Sequence, residues 1–471
     1  MEKIKTFIQS DKYIISVFTF TLISWSFLFE TPPFYFNIIN MFGILALVFI
    51  ASFALFLFKN TLYAIPPLIG LLFVVNHPSM TFDTTTLIFP IIAFLILISG
   101  FGIYIYKYRP TFKIKTFFYG FLLIAIAYVI PLVYTPFQFK AIPISFIAFI
   151  YFGLYVFFSN TVEGSLDYLF KILLAICLLM SLQMTVYLTI GFFTSPELGF
   201  YDRLFVGWDR NLGWANVNDM CFYIALTFPS FIYFIFKKPK TYALWFLMLL
   251  PILIIILSKS RGGMIGFGVA VAGIIYFSIY QGQKIQWKHG LLFLLFLFFF
   301  FLINRDIIII WWRHFNDTTS GTINEFSSNR LFLYREAWKM FLNYPIFGAG
   351  WMSIDIVYQR WFETYGLYQR LFMYHSTFFH TIATMGLFGL FALIVHYTQV
   401  FRYMFKDVTL EKYLFVIGYL ASQIHGLIDN VQFAVPYSVL MVLFLSIFET
   451  AQKKTSFELV NLKYQLIETS D

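Results

Sequence analysis

Residues 241–280 read TYALWFLMLLPILIIILSKSRGGMIGFGVAVAGIIYFSIY. They contain two apolar runs, 241–257 and 262–280, separated by a short polar stretch around Arg261. An α-helix needs about 20 apolar residues to cross a hydrocarbon core about 30 Å thick, and each run is close to that length. We therefore predict a pair of membrane-spanning helices here, joined by a polar turn at one membrane surface.

The same pattern occurs along most of the chain. Of its 471 residues, 60% are hydrophobic and 12% are charged, whereas a soluble domain carries about 25% charged residues. Fourteen apolar runs are candidate spans, of which the third is short: 13–29, 35–58, 61–75, 87–106, 116–134, 141–158, 167–193, 217–236, 241–257, 262–280, 289–304, 376–401, 411–427 and 433–449. We predict an all-α polytopic membrane protein with about 12–14 transmembrane helices.

Lysine placement predicts how these spans are oriented. Cytoplasmic loops of membrane proteins carry an excess of basic residues, and with the N-terminus inside, every second loop carries lysine. The alternate loops hold only Lys140, Lys259 and Lys339. We expect both termini to be cytoplasmic. The N-terminal apolar run has no small-residue cleavage site, so we expect it to be an uncleaved first span.

This topology divides the chain into four parts. They are transmembrane helices 1–11 in 1–304, a large extracytoplasmic loop over 305–375, transmembrane helices 12–14 in 376–449, and a cytoplasmic tail over 450–471. The loop is the part in which we expect the catalytic residues and an amphipathic helix.

Arginine is distributed differently from lysine. Of 11 arginines, nine are predicted to lie on the outer side: Arg203, Arg210, Arg261, Arg305, Arg313, Arg330, Arg335, Arg360 and Arg370. A long outer loop can simply tolerate positive charge, because the positive-inside rule weakens for long loops. The alternative is a ligand, since a guanidinium binds phosphate oxygens bidentately while lysine presents a point charge. The arginine-rich surface favours an anionic phosphate ligand near the outer leaflet.

Composition excludes several other classes of function. The formal net charge is +9, but the charges are scattered in short loops between apolar runs, so we expect no nucleic-acid partner. Cys177 and Cys221 both lie in apolar runs, and no metal-ligand spacing such as C-x₂-C occurs. We therefore expect no disulfide framework and no structural zinc.

Residues 258–263 read SKSRGG, at the predicted outer end of one span and the start of the next. Arg261 could be a boundary anchor whose side chain reaches the membrane surface. The two glycines favour a functional interpretation, because they let the backbone approach a ligand and leave N–H groups free at a helix start.

Residues 327–350 read SSNRLFLYREAWKMFLNYPIFGAG. The spacing predicts an amphipathic helix on the outer membrane surface, ended by Pro345 and followed by a turn at Gly348 and Gly350. Its apolar face would contain Leu331, Tyr334, Ala337, Trp338 and Phe341, with Arg335 and Lys339 on another face. The helix could be only a packing lid. Arg330, however, would oppose the helix dipole at the N-terminus, which indicates an anion nearby.

Residues 373–391 read MYHSTFFHTIATMGLFGLF, and residues 425–430 read HGLIDN. His375 falls where the loop meets the next span. A lone histidine is usually structural, but a neutral imidazole facing arginines would have a low pKa and could act as a base. His380 and His396 lie deeper, and we expect them to be structural. Asp429 either orients a histidine or an arginine, or pairs with one.

The order of these motifs resembles the O-antigen ligase and Wzy-type polymerase superfamily. The matching features are SRGG at a span start, R-L-x-L-x-x-x-A-W with P-x-F-G-x-G, a loop-end histidine before a glycine-broken span, and WANVND at 214–219. The resemblance covers roughly residues 200–435. The chain departs from the family pattern in two places: the common His-Asn pair is His375-Ser376, and the helix tryptophan is Tyr334.

The resemblance implies a GT-C-like, inverting glycosyltransferase that uses no metal and no cofactor. It would act on the outer face of the cytoplasmic (inner) membrane. Its donor would be an undecaprenyl-diphosphate-linked glycan, and its acceptor a glycan or a lipid-linked molecule. His375 and Asp429 would be catalytic, and four arginines would bind the diphosphate: Arg210, Arg261, Arg330 and Arg335.

Other readings of the sequence remain. A transporter or flippase for a lipid-linked oligosaccharide also has many spans, but such proteins usually show two-fold repeats and charges at mid-membrane depth. A RodA-type peptidoglycan polymerase would be expected to use a loop acid: Asp306, Asp317, Glu325, Glu336, Asp355 or Glu363. Within the resembled family, polymerase is slightly favoured over ligase, because nothing signals a particular lipid core.

Overall fold

The described part of the chain is helical. The computed structural model describes residues 1–26, 38–75, 88–135, 138–194, 196–197, 217–237, 242–258, 260–280, 330–357, 359 and 373–451, with single helical positions between 291 and 312. No β-strand occurs within these ranges. The all-α prediction is therefore confirmed.

Sixteen α-helices, numbered here in chain order, are bounded in these ranges. They are α1 Glu2–Ile8, α2 Asp11–Ser26, α3 Ile38–Leu57, α4 Ile65–Val75, α5 Ile88–Tyr108, α6 Phe118–Val129, α7 Gln138–Thr161, α8 Leu166–Thr194, α9 Val217–Thr227, α10 Pro229–Lys237, α11 Tyr242–Leu257, α12 Arg261–Tyr280, α13 Arg330–Asn343, α14 Thr377–Phe405, α15 Leu410–His425 and α16 Val435–Thr450. Short 3-10 helices lie at Thr61–Ala64, Ile130–Val133, Trp351–Ser353 and Val431–Phe433.

Length and composition identify membrane spans among these helices. Six stretches are long and apolar enough to cross a bilayer: Asn40–Leu57, Phe89–Tyr108, Ala141–Thr161, Leu166–Val186, Val217–Lys237 and Thr377–Phe405. Five shorter apolar helices accompany them. In α5, large apolar side chains such as Phe94 and Leu95 are exposed, as expected for a surface that faces lipid. The chain is a polytopic membrane protein, and the count of 12–14 spans stays a prediction.

Helices α9, α12 and α15 pack tightly against one another and support the later part of the chain. A Cβ added at Gly418 in α15 would lie 2.0 Å from the carbonyl oxygen of Leu226 in α9. One added at Gly266 in α12 would lie 2.8 Å from the carbonyl oxygen of Ala421 in α15. Small residues allow such close backbone approach between helices in a membrane. The Arg261 end of α12 and the His425 end of α15 are thereby held side by side.

Helix α14 is broken at Gly386, and the P-x-F-G-x-G turn fills the break. Gly386 has a φ of +63°, a conformation that interrupts the helical hydrogen bonds. Four backbone hydrogen bonds join the two segments: Ala349 N to Ala383 O (2.8 Å), Gly350 N to Thr384 O (3.0 Å), Leu387 N to Pro345 O (2.8 Å) and Phe388 N to Ile346 O (2.9 Å). Polar backbone groups freed inside a membrane protein must find such partners.

The glycines at this junction are required because a side chain there would collide with the neighbouring backbone. A Cβ added at Gly348 would lie 2.2 Å from the backbone nitrogen of Met385, and one added at Gly386 would lie 2.6 Å from the backbone nitrogen of Gly348. The two segments therefore touch backbone to backbone. The predicted turn after the amphipathic helix is confirmed, and its role is to anchor that helix to α14.

Candidate active site

Three charged side chains from distant parts of the chain meet at one place. Arg330 is the first residue of α13, His375 lies two residues before α14, and Asp429 follows α15. The Nδ1 atom of His375 lies 3.3 Å from Oδ1 of Asp429, and Nη2 of Arg330 lies 3.6 Å from Oδ2 of the same carboxylate. Asp429 therefore bridges the predicted base and a predicted diphosphate-binding arginine.

The start of α14 docks on the turn after α15, and this places His375 beside Asp429. The backbone nitrogen of Thr377 donates to the carbonyl oxygen of Gly426 (2.8 Å), and that of Ser376 donates to Oδ1 of Asn430 (2.9 Å). Ser376 is also the N-cap of α14, because its hydroxyl accepts from the Phe379 nitrogen at 3.4 Å. Serine thus fills the place of the family's asparagine as an ordinary helix cap.

Exposure decreases from the imidazole to the carboxylate. The His375 side chain is 34% exposed, Arg330 is 19% exposed and Asp429 is 7% exposed. Burial by itself would raise the pKa of the Asp429 carboxyl, but hydrogen bonding to His375 and the charges of His375, His425 and Arg330 outweigh it and hold that pKa well below its ordinary range. Asp429 is therefore an anion at neutral pH, able to orient an imidazole.

The anion expected beside Arg330 is present within the protein. A cation at a helix N-terminus is opposed by the helix dipole, and the Asp429 carboxylate at 3.6 Å offsets this. The placement of Arg330 therefore does not by itself require a bound phosphate. The remaining N–H groups of a guanidinium can still bind one, because arginine has five donors.

Arg261 begins α12, within electrostatic range of the Arg330 guanidinium. The residue before it, Ser260, donates its hydroxyl to Oδ1 of Asn218 in α9. The sequence interpretation that the SRGG glycines leave N–H groups free needs correction, because the Gly263 nitrogen donates to the Ser260 hydroxyl at 3.0 Å. Gly262 instead makes room for a helix: a Cβ there would lie 2.9 Å from the His425 ring.

The predicted apolar face of α13 was partly wrong. Leu331 and Trp338 are 44% and 46% exposed. Ala337 is buried as predicted, and the other buried residues of the helix are Phe332, Leu333, Glu336 and Met340. The helix packs through the face that meets α14, and its one buried acid, Glu336, pairs with Lys339. Helical spacing alone gave the period of the helix but could not say which of two mixed faces would meet a neighbour.

Of the predicted diphosphate-binding arginines, Arg335 is not part of this cluster. Arg335 is five residues after Arg330, which turns it about 140° around the helix. It is exposed, with its guanidinium carbon 5.6 Å from the centre of the Phe332 ring. Arg210 lies outside the described residues. His380 and His396 are fully buried, as expected of structural histidines, and His380 packs 4.6 Å from the Trp351 ring.

Sequence reasoning missed two residues at the base of this cluster. His425, the last residue of α15, is buried, and its charge would act on Asp429. Its place in the HGLIDN stretch, four residues before Asp429, was a signal that could have found it. Asp219, in the first turn of α9, lies close enough to Asp429 for their charges to interact. Its signal was the WANVND motif, which had no role assigned.

The match to a known family falls on this part of the chain. Residues 246–394 match the O-antigen ligase family model. The match confirms the resemblance to the O-antigen ligase and Wzy-type superfamily, and it includes Arg261, Arg330 and His375. No curated protein matches the chain significantly. A match to the O-antigen ligase family among membrane-spanning helices favours a glycosyl-transferring membrane enzyme.

The arrangement has the parts that such a transfer requires. A base needs an orienting partner and an open side, and His375 has Asp429 on one nitrogen while a third of its surface stays exposed. A charged leaving group needs cations that are already in place; Arg330 contacts the carboxylate that also holds His375, and Arg261 lies within electrostatic range of Arg330.

Proposed function

We propose that this protein is a glycosyltransferase of the O-antigen ligase and polymerase type. It transfers or polymerises undecaprenyl-diphosphate-linked oligosaccharide units, with inversion, for surface polysaccharide synthesis. The observation that carries the proposal is the contact of His375 and Arg330 with one buried carboxylate, Asp429, beside Arg261. A base and two cations are thereby grouped within a matched O-antigen ligase domain.

His375 is the base in this proposal. Its Nδ1–H donates to Asp429, which fixes the tautomer and leaves Nε2 as the acceptor of a proton. Nε2 takes the proton of the acceptor sugar hydroxyl as that oxygen attacks the anomeric carbon. Such general-base catalysis typically contributes about 10²–10⁴-fold. The imidazolium that forms is stabilised by the Asp429 carboxylate.

Arg261 and Arg330 act on the leaving group. As the new glycosidic bond forms, the bond between the anomeric carbon and the diphosphate oxygen breaks, and negative charge grows on that oxygen. Two guanidinium groups held near each other stabilise this charge through bidentate hydrogen bonds. Attack from the side opposite the diphosphate inverts the anomeric carbon. The proton on Nε2 then leaves to solvent.

The site belongs on the outer face of the cytoplasmic membrane in this proposal, with both termini in the cytoplasm. The placement of lysine in every second predicted loop supports that orientation. The acceptor is either a second glycan unit, which gives a polymer, or a lipid-linked molecule, which gives a ligated product. We favour the polymer slightly, because no feature of the chain points to a particular lipid acceptor.

Turnover of a purified preparation on an undecaprenyl-diphosphate oligosaccharide tests the proposal. We expect transfer to persist in EDTA and to be lost in Arg261→Ala, Arg330→Ala and His375→Ala. Arg402→Ala, an exposed arginine in the last turn of α14, is the matched control and should keep activity. Product length separates polymerase from ligase. If the wild type transfers no glycan but moves the lipid between leaflets, the transporter alternative replaces this proposal.

A further inference from the structure

The hydroxyl of Tyr334 contacts the backbone of the proposed base. Its Oη donates to the carbonyl oxygen of His375 at 2.9 Å. Tyr334 lies in α13, four residues after Arg330, so the two side chains lie on the same side of that helix. One helix therefore carries a residue that faces the leaving group and a residue that holds the base.

His375 needs such support because its backbone is in an unfavourable conformation. Its φ is +48°, in the left-handed region that costs energy for a residue other than glycine. Such a conformation persists only where neighbouring contacts hold it. Asn430 holds the following N–H group, and Asp429 holds the imidazole. The Tyr334 hydroxyl holds the third polar group at this position, the carbonyl oxygen of His375.

The ring of Tyr334 is itself well fixed. It stacks on Phe379, in the first turn of α14, with ring centres 4.4 Å apart and planes 10° apart. Burial, with a smaller contribution from Asp429, raises the pKa of Tyr334 to about 12 against the opposing charge of Arg330. The phenol is therefore protonated at neutral pH and can donate to a carbonyl oxygen throughout the working range.

We propose that Tyr334 is a positioning residue that holds His375 in its strained conformation and ties the base to the helix that carries Arg330. The inference rests on the proposed function for its kinetic consequence but not for its structural one. Tyr334 does not touch the reacting atoms. It acts on the direction of the imidazole, so its loss should change the chemical step and leave donor binding in place.

The kinetic test compares Tyr334→Phe with Tyr344→Phe. Phenylalanine keeps the stack on Phe379 and removes only the hydroxyl. We expect kcat to fall about 3- to 10-fold with an unchanged KM for the lipid-linked donor. Tyr344 is a tyrosine just after the same helix, stacked on Tyr134 and 42% exposed, and its variant should match the wild type. A rise in KM with unchanged kcat, or an unchanged kcat, would overturn the proposal.

Hydrogen exchange gives a second measurement that needs no turnover. Amides of residues 373–379 should exchange about threefold or more faster in Tyr334→Phe than in the wild type or Tyr344→Phe, while peptides from α16 stay unchanged. Equal exchange in all three proteins would overturn the positioning role whether or not the wild type transfers glycan. If the exchange difference is seen in a protein that transfers no glycan, the proposed function fails while the positioning of His375 stands.

Discussion

Replacing Asp429 by asparagine should reduce glycan transfer strongly, although the side chains of His375 and Arg330 are kept. The change keeps the size of the side chain but removes the charge that faces both His375 and Arg330. Removing the charge of one partner in a buried ion pair costs about 3–5 kcal/mol. Arg330 and His375 keep 19% and 34% exposure, so solvent screening lowers our expectation to about 2–3 kcal/mol. The charge on His375 appears as it takes the proton, so we expect this loss of about 2–3 kcal/mol to fall on the transition state, which corresponds to about a 30- to 150-fold loss of kcat/KM.

The assay is transfer by the purified protein at saturating and limiting donor concentrations. Asparagine can accept from Nδ1 of His375 only through its amide oxygen, so the imidazole should be less well oriented. The loss should therefore appear mainly in kcat. The matched control is Asp407→Asn, an acid in the turn after α14, on the side predicted to be cytoplasmic. A turnover within twofold of the wild type in Asp429→Asn would refute the reasoning that this carboxylate orients the base.

Three further predictions follow from single contacts. Gly348→Ala should lower the thermal unfolding temperature and the yield of folded protein. The added Cβ would lie 2.2 Å from a backbone nitrogen, and the φ of Gly348 is +75°. Gly102→Ala is the control and should be neutral or stabilising, because no heavy atom lies within 4 Å of its Cβ. Arg330→Lys should lose about tenfold in donor kcat/KM in a turnover assay, since an ammonium cannot make two parallel bonds to a diphosphate. The lowered pKa of Asp429 should stabilise the fold fully above the unfolded pKa of about 3.9, and less as the pH falls towards the folded pKa. Over that acid range, the free energy of unfolding in urea should therefore depend less on pH for Asp429→Asn than for the wild type.

Hydropathy was sufficient to predict the helices because the preference of a span for lipid is set by its own residues. The run predicted at 87–106 became α5, Ile88–Tyr108, and the run at 376–401 became the start of α14. The run at 217–236 is divided at Phe228, just before Pro229 begins α10. Helical positions at Ile309 and Trp312 lie beyond the predicted end of a span at residue 304. Helix boundaries of this kind depend on contacts with other parts of the chain, which local composition does not show.

The site was predictable in its residue types and not in its connections. Arg330, His375 and Asp429 were each singled out because a cation at a helix start, a histidine at a membrane surface and a lone acid in a polar turn are locally unusual. Their pairing depends on contacts between segments up to 99 residues apart in the chain, Arg330 to Asp429. The same limit explains Arg335, which shares the helix of Arg330 but faces another direction, and Gly262 of the SRGG motif, whose neighbour is His425.

The broken helix explains how such distant residues are held together at the edge of a membrane. Gly386 divides α14 into a short N-terminal part, which follows His375, and a longer part that continues to Phe405. The backbone groups released by the break bind the turn at 345–350, which is the end of the segment that carries Arg330. A side-chain contact there could be lost by one substitution, whereas four backbone hydrogen bonds depend only on the two glycines that let the segments approach. The positions of Arg330 and His375 are therefore coupled through the main chain after the C-terminal end of α13 and through the Tyr334 hydroxyl near its N-terminal end.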